Sequence, residues 1–143
     1  VGDEPKVIEY NVRMGDPETE VVLPRLKTDL VKIFDAISKQ TLSDIELEID
    51  ERAATTVMLV SGGYPEAYEK GKEIFGLENV KDSIVFHAGA KDQEGKIVTS
   101  GGRVMAVTSY GNTYQDAIKK SYQSINHLCF DKMNYRKDIG FDL

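Results

Sequence analysis

Glu9, Asn11 and Arg13 alternate within the string "IEYNVRMGDPE" (residues 8–18), and Gly15-Asp16-Pro17-Glu18 comes at once after them. On an extended strand, residues two apart share a face, so an acid, an amide and a cation would project together at ~6–7 Å intervals. Carboxylate and amide oxygens are hard ligands of the kind Mg²⁺ takes, an ion that keeps several waters and fills its shell with substrate phosphates. An arginine two residues on can grip a phosphate or a carboxylate through two parallel N–H groups. The alternative is an exposed edge-strand face whose polar side chains only meet water. E-x-N spacing alone does not separate the two.

The elements that must position these residues can be read from pattern. Lys6–Val12 is rich in β-formers (Val7, Ile8, Tyr10, Val12) and predicts a strand. Asp16-Pro17-Glu18 predicts a helix start, with Asp16 as N-cap, Pro17 in the first position and its leading N–H groups suited to an anion. Pro24 should end or kink that helix. Thr28-Asp29 can cap a second one, with Leu30, Ile33, Phe34 and Ile37 on one face. Ser38–Ser43 is a polar linker, after which Ile45–Ile49 alternates as a strand would.

Thr55–Val60 is a β-rich run closed by Ser61-Gly62-Gly63-Tyr64-Pro65. Ser83–Ala90 and Lys96–Thr99 predict a hairpin joined through residues 92–95, and Gly101-Gly102 leads into a strand at Arg103–Ser109. Thr113 with Asp116 fits a capping box for a helix running to about Leu128, which would bury Tyr114, Ile118, Ser121, Tyr122 and Ile125. Strands in the middle and one long helix at the end predict an α+β fold with an antiparallel sheet.

Composition narrows the function. The 18 basic and 24 acidic side chains give a net charge of −6, which argues against nucleic-acid binding through clustered cations. It leaves room for a small phosphorylated ligand held by one or two cations. No run reaches the ~20 apolar residues of a membrane-spanning helix, and no secretory leader is visible at the N-terminus. A lone Cys129 has no intramolecular disulfide partner and fits a cytoplasmic protein. The chain opens on Val1 without an initiator Met, as a processed, tagged or longer protein would.

The longer string "RMGDPETEVV" (residues 13–22) resembles the signature of the phosphoribosylamine–glycine ligase family, Arg-x-Gly-Asp-Pro-Glu-x-Glu/Gln followed by aliphatics. The preceding "PKVIEYN" is similar to the last strand of that family's ATP-grasp domain. "LPRLKTDL", "SGGYP", "YEKG", "VFHAG", "GGRVMAVT" and "YRKDIG" come in the family's order, so the resemblance spans essentially the whole chain. Two departures stand out: Met14 where the family commonly has Phe or Leu, and Lys132 where it often has Gly.

The resemblance implies a fold and a chemistry. Residues 1–40 would be the end of an ATP-grasp domain. Residues 41–143 would be the family's C-terminal domain, an antiparallel β unit with a packed helix of the rudiment single hybrid type, similar to the C-terminal domain of biotin carboxylase. By position, Glu9 and Asn11 would bind Mg²⁺ (or Mn²⁺) bridging the phosphates of ATP. Arg13 would be the catalytic arginine that steadies charge on the transferring phosphate. Gly15, Asp16 and Glu18 would shape the substrate pocket, or serve only as a helix cap and first turn.

The implied reaction joins glycine to 5-phosphoribosylamine at the expense of ATP, through a glycyl phosphate, in de novo purine synthesis. The chain would be roughly the last third of such an enzyme, inactive alone and partnered by the N-terminal and ATP-grasp domains. The alternatives are another ATP-grasp ligase or carboxylase, against which Gly-Asp-Pro-Glu speaks, and a non-catalytic α+β binding module.

Other candidates carry less. Gly62-Gly63 and Gly101-Gly102 fit tight turns better than a phosphate cradle, lacking the GxGxxG and Walker patterns. Arg103 could reach the cleft beside the ATP-grasp domain. His87 and His127 lack a partner at metal-ligand spacing, and His87 should be hydrogen-bonded within the fold. Cys129 is expected as a small buried hydrophobe. Tyr110, Tyr114 and Tyr122 are spaced as core and rim residues.

Overall fold

The computed structural model describes residues 5–142. Its centre is a four-stranded antiparallel sheet. The strands are β1 (Ala53–Ser61), β2 (Ile84–His87), β5 (Arg103–Gly111) and β6 (Met133–Asn134), in the order β2-β5-β1-β6. A hairpin of β3 (Ala90–Gln93) and β4 (Lys96–Thr99) forms a second, two-stranded sheet. One face of the main sheet is covered by the helix α3 (Tyr114–Ile125) and the other by the short helix α1 (Thr19–Val22) with the 3₁₀ turn Leu23–Arg25. The helix α2 (Leu30–Ser38) stands between α1 and the sheet in sequence.

Alternation along β1 and β5 sorts the side chains. Val57 and Leu59 of β1 and Met105 and Val107 of β5 are buried with Ile125 of α3, Leu128 and Phe130 in one apolar cluster. α3 turns small residues toward the sheet, Ala117, Ser121 and Ser124, which lets the helix approach closely. The buried hydroxyls satisfy one another. Ser121 Oγ donates to Ser109 Oγ at 2.9 Å, and Ser83 Oγ lies 2.6 Å from both Ser109 Oγ and Ser124 Oγ. Such a seam avoids the cost of an unpaired buried polar group.

The β1–β5 register carries one irregularity. Leu59 faces Met105 but Val60 faces Arg103, so Val104 is the extra residue of a β-bulge. In a regular ladder through Val104, Arg103 would share the helix-facing side of Met105, Val107 and Ser109. With the bulge, Arg103 emerges on the opposite face, beside α1.

Several expectations are corrected by the structure. Residues 6–12 form no strand: among the described residues no strand pairs with them, and Ile8 and Val12 are each 97% exposed. β-propensity without a neighbouring edge has no ladder to join. The first helix starts at Thr19, not Pro17, because Glu18 rather than Asp16 takes the N-cap position. It is a single turn, too short to serve as an anion site, and Pro24 then falls in the 3₁₀ turn that ends it. Ile45–Ile49 contributes an isolated bridge, Leu26 to Ile49, rather than a strand.

Ser83–Ala90 divides into β2, which pairs with β5, and the start of β3. The hairpin therefore turns at Glu94-Gly95, both with positive φ, inside the stretch expected to connect it. The division falls at Gly89, whose N–H donates to the Arg103 carbonyl and where a methyl would strike that oxygen and Gly101.

Other expectations hold. Asp29 caps α2 by accepting from the Val31 N–H at 2.8 Å, and Thr113 caps α3 by accepting from the Asp116 N–H at 3.2 Å. α3 ends at Ile125, a turn earlier than expected, with Asn126 as C-cap. Its buried face keeps Ser121 and Ile125, with Tyr122 partly buried against the core cluster, and takes Ala117 and Ser124 in place of Tyr114 and Ile118. Lys132 takes φ +60, so the turn keeps a left-handed backbone even with a lysine there. The α+β fold with antiparallel sheets and a packed helix stands.

Candidate functional site

The signature string closes on itself before it reaches the sheet. The Gly15 N–H donates to Glu18 Oε1 at 2.8 Å, while Thr19 donates to the Gly15 carbonyl through both its backbone N–H (3.0 Å) and its hydroxyl (2.7 Å). Gly15 is tight here, since a Cβ would lie 3.0 Å from Glu18 Oε2. The Glu18 carboxylate is thus engaged in shaping the turn. Just before it, Arg13 Nη1 stands 3.4 Å from Asn11 Oδ1, a long charge-assisted contact between two exposed side chains. Glu9 is exposed, and among the described residues no hydrogen bond or ion pair joins it to the rest of the motif.

β5 holds the chain from Asp16 to Pro24. Arg103 Nη1 donates to the Asp16 carbonyl at 2.9 Å, and its Nη2 lies 3.4 Å from Asp16 Oδ2. Thr108 Oγ1 donates to the Glu20 carbonyl at 2.8 Å, and Tyr110 Oη to the Pro24 carbonyl at 2.5 Å. Three donors on one strand face therefore serve carbonyls at residues 16, 20 and 24, one helical turn apart. Only Glu20 lies within the helix; Asp16 precedes it and Pro24 follows it, so the three bonds pin the helix and both its flanks. Arg52 stacks over the Tyr110 ring at 4.4 Å, and its bidentate bond to Asp50 holds that carboxyl down to about 2.

The structure thus brings Asn11 near Arg13, Gly15 to Glu18, and Asp16 to Arg103, and leaves Glu9 apart from them. Thr108 and Tyr110 are tethers that sequence reasoning missed. Their signal was present in the alternation of "RVMAVTSYG", where a polar residue recurs on the face that does not meet α3. Two further expectations are corrected. His87 is exposed at the end of β2, without a ring hydrogen bond among the described residues. Cys129 is exposed rather than buried, because its backbone bridges to Phe75 and turns its side chain outward. Arg103, named in the sequence as able to reach across, contacts the signature turn at Asp16.

The surroundings define what this chain can bind. A mostly apolar groove lined by Met14, Val21, Val22, Leu26, Ile49 and Ala54, with Arg25 also in its wall, runs beside the turn. Its one charged wall residue, Arg25, donates through Nε and Nη2 to the Asp50 carbonyl at 3.1 and 3.0 Å. Among the described residues no three His, Cys, Asp or Glu side chains gather as a metal site, and no helix is long and apolar enough to cross a membrane. Large apolar side chains are open to solvent on residues 7–12 and on α2, where Val31 is 72% and Phe34 58% exposed.

Comparison with known proteins gives a consistent result. Residues 54–142 match the family described as phosphoribosylglycinamide synthetase, C domain. The chain is 47% identical over 136 residues to a phosphoribosylamine–glycine ligase of Caldanaerobacter subterraneus, covering 95% of this chain and 33% of that protein. A bifunctional purine biosynthetic protein of Pichia angusta is 44% identical over 139 residues, of which the chain covers 18%. The crystal structure of a phosphoribosylamine–glycine ligase from Thermotoga maritima superposes with a TM-score of 0.74 at 36% identity, over 94% of this chain and 33% of that one. The chain therefore spans about a third of the length of the single-function relatives it matches.

Proposed function

The chain belongs to the phosphoribosylglycinamide synthetase family, within that family's C-terminal part, and on that premise we propose that it supplies the corresponding part of a phosphoribosylamine–glycine ligase. The observation that carries the reading is near-complete coverage of this chain by ligases at 47% identity, together with the defined turn that the string from Arg13 to Glu18 forms. In this proposal residues 1–40 close an ATP-grasp domain and residues 41–143 form a C-terminal domain of the biotin-carboxylase type. The exposed apolar side chains at residues 7–12 and on α2 would then be covered by the rest of the enzyme, since patches of that kind mark interaction surfaces. The enzyme would act in the cytoplasm.

The reaction transfers the γ-phosphoryl group of ATP to the glycine carboxylate. The amine of 5-phosphoribosylamine then attacks the glycyl carbon, phosphate departs, and the amine gives up a proton. Such chemistry rests on positioning and on stabilised charge rather than on a protein nucleophile. Arg13 would present its guanidinium to the acyl phosphate, where a cation opposes developing negative charge. Asp16 and Glu18 would act by shaping the turn that carries it, since both carboxylates already face partners within the protein.

Mg²⁺ or Mn²⁺ fits the donor chemistry of Glu9 and Asn11, one carboxylate and one amide oxygen, both accessible. Two protein oxygens leave most of the shell to water and nucleotide. These two residues would hold the ion, and when bound it would neutralise charge on the nucleotide phosphates.

Grafting tests the proposal. This chain would replace the matching third of the Caldanaerobacter ligase, and ADP release dependent on both glycine and 5-phosphoribosylamine would be measured. Turnover within about tenfold of the parent is expected, with a loss of at least about a hundredfold on Glu9→Gln or Arg13→Ala. A folded, soluble graft without turnover would overturn the reading, as would full activity in either variant.

A further inference from the structure

We propose that Arg103 is a positioning residue: anchored in the sheet, it fixes the turn from Gly15 to Thr19, and with it the place from which the preceding Arg13 guanidinium is presented. The inference rests on the ligase reading for its catalytic consequence, but the tether itself is a property of this chain.

Three observations carry it. First, the backbone under Arg103 is clamped on both sides. Ser61 donates to the Gly102 carbonyl through its N–H (2.8 Å) and to the Gly101 carbonyl through its hydroxyl (3.0 Å). Across the sheet, Gly89 donates to the Arg103 carbonyl at 2.7 Å. Gly101 and Gly102 leave no slack: a Cβ at Gly101 would sit 3.0 Å from Gly89 Cα, and one at Gly102 would enter the Tyr64 ring. Second, the bulge at Val104 is what turns Arg103 out of the α3 face and toward the turn. Third, the guanidinium meets Asp16 at two places, its carbonyl at 2.9 Å and its carboxylate at 3.4 Å, so it restrains both backbone and side chain.

Asp16 sits three residues after Arg13 and inside the loop that Glu18 and Thr19 close. Among the described residues, those before Gly15 lie outside any ladder, so their direction depends on how this loop is held. Thr108 and Tyr110 fix the chain further on, at Glu20 and Pro24, and cannot substitute for a bond at Asp16. Arg103 keeps N–H groups beyond those two contacts, but it acts through Asp16, not on substrate.

The experiment has two arms. In this chain, amide hydrogen exchange would be followed at Gly15 and Thr19, with Val57 and Val107 as sheet controls. Arg103→Ala is expected to speed exchange at Gly15 and Thr19 by about tenfold while the controls hold, and Arg103→Lys to fall between. Unchanged rates at Gly15 and Thr19, or equal acceleration everywhere, would overturn the tether. In the grafted ligase, Arg103→Ala should lower kcat by about tenfold with little change in KM for ATP, and Lys should restore part of it. A kcat equal to the parent graft would overturn the positioning role. An inactive unsubstituted graft would count against the ligase reading, while the exchange arm would still decide the tether.

Discussion

Residues 5–50 and residues 53–142 are patterned alike and fold differently. Both contain an amphipathic helix with a side-chain N-cap, Asp29 for α2 and Thr113 for α3, and both contain β-rich runs. In the later region the apolar faces meet: Val57, Leu59, Met105, Val107 and Ile125 are buried at 1% exposure or less. In the earlier region Ala36 is the buried hydrophobe among the described residues, while Phe34 and Ile37 of the same helix are more than half exposed. Local propensity builds a helix in either place. Burial depends on a partner, and α2 and the 6–12 segment lack theirs within the described residues. In the proposed ligase, the rest of the enzyme would supply that partner.

Substitutions can break or sharpen that contrast. The largest effect is expected in the later region: Leu59→Ala should cost about 2–5 kcal/mol in urea unfolding. A cost below about 1 kcal/mol would remove the distinction between the two regions. Gly89→Ala should cost about 2 kcal/mol, because the methyl meets backbone atoms of Arg103 and Gly101 that cannot yield. Tolerance there would mean that β2, β3 and the Gly101-Gly102 turn can shift apart.

The caps give a matched pair. Thr113→Ala should lower global stability by about 1 kcal/mol, whereas Asp29→Ala should fray α2 locally and leave the main transition where it is. Circular dichroism melts with exchange at Val31 and Ala117 would tell them apart; equal global losses would show that α2 is coupled to the sheet.

Acid should act on the later region too. Glu69, hydrogen-bonded by Lys72 and then by Lys132, is held down to about 2. A carboxylate with a depressed folded value adds stability above its unfolded pKa of about 4, and that stability is lost as pH falls toward 2. Stability of the parent should therefore drop between those limits, and Glu69→Gln should flatten part of the drop. A profile unaltered by the substitution would refute the assignment. Least of all, Ile8→Ser with Val12→Ser should change unfolding by no more than about 0.5 kcal/mol in this chain, yet impair the grafted ligase.

Much of the later region was legible. The strand runs at 55–60 and 103–109, the capping of α3 by Thr113 and the apolar alternation all lie close to what forms. What failed did so for identifiable reasons. Lys6–Val12 has strand residues, but a strand is a paired object, and pairing is not written in one segment. The split at Ala88-Gly89 depends on a carbonyl fourteen residues away, at Arg103. Tyr114 and Ile118 lost the helix face to Ala117 and Ser124 because the sheet is close and the hydroxyls of Ser109 and Ser83 needed partners.

The candidate site divides the same way. Residue types and spacing offered Glu9, Asn11 and Arg13 as a ligand face or a solvated one, and the family resemblance implied a use for them. That Glu18 would close a loop on Gly15, and that Asp16 would lean on Arg103, needed the fold, since the second contact joins residues 87 apart.

The single extra residue in β5 also bears on how this sequence can drift. The ladder could be straightened in two ways, with opposite results. Losing Val104 would set Arg103 next to Met105, and neighbours on a strand point to opposite faces, so the guanidinium would stay on the side of Asp16. Keeping Val104 but sliding it opposite Val60 would roll the guanidinium onto the face covered by α3. There it would lie among Met105, Val107 and Ile125, where no carboxylate waits for it. A relative can therefore shorten this strand by one residue and keep its arginine. One that keeps the length and pairs regularly would have to give the arginine up, or gain an acid in its helix.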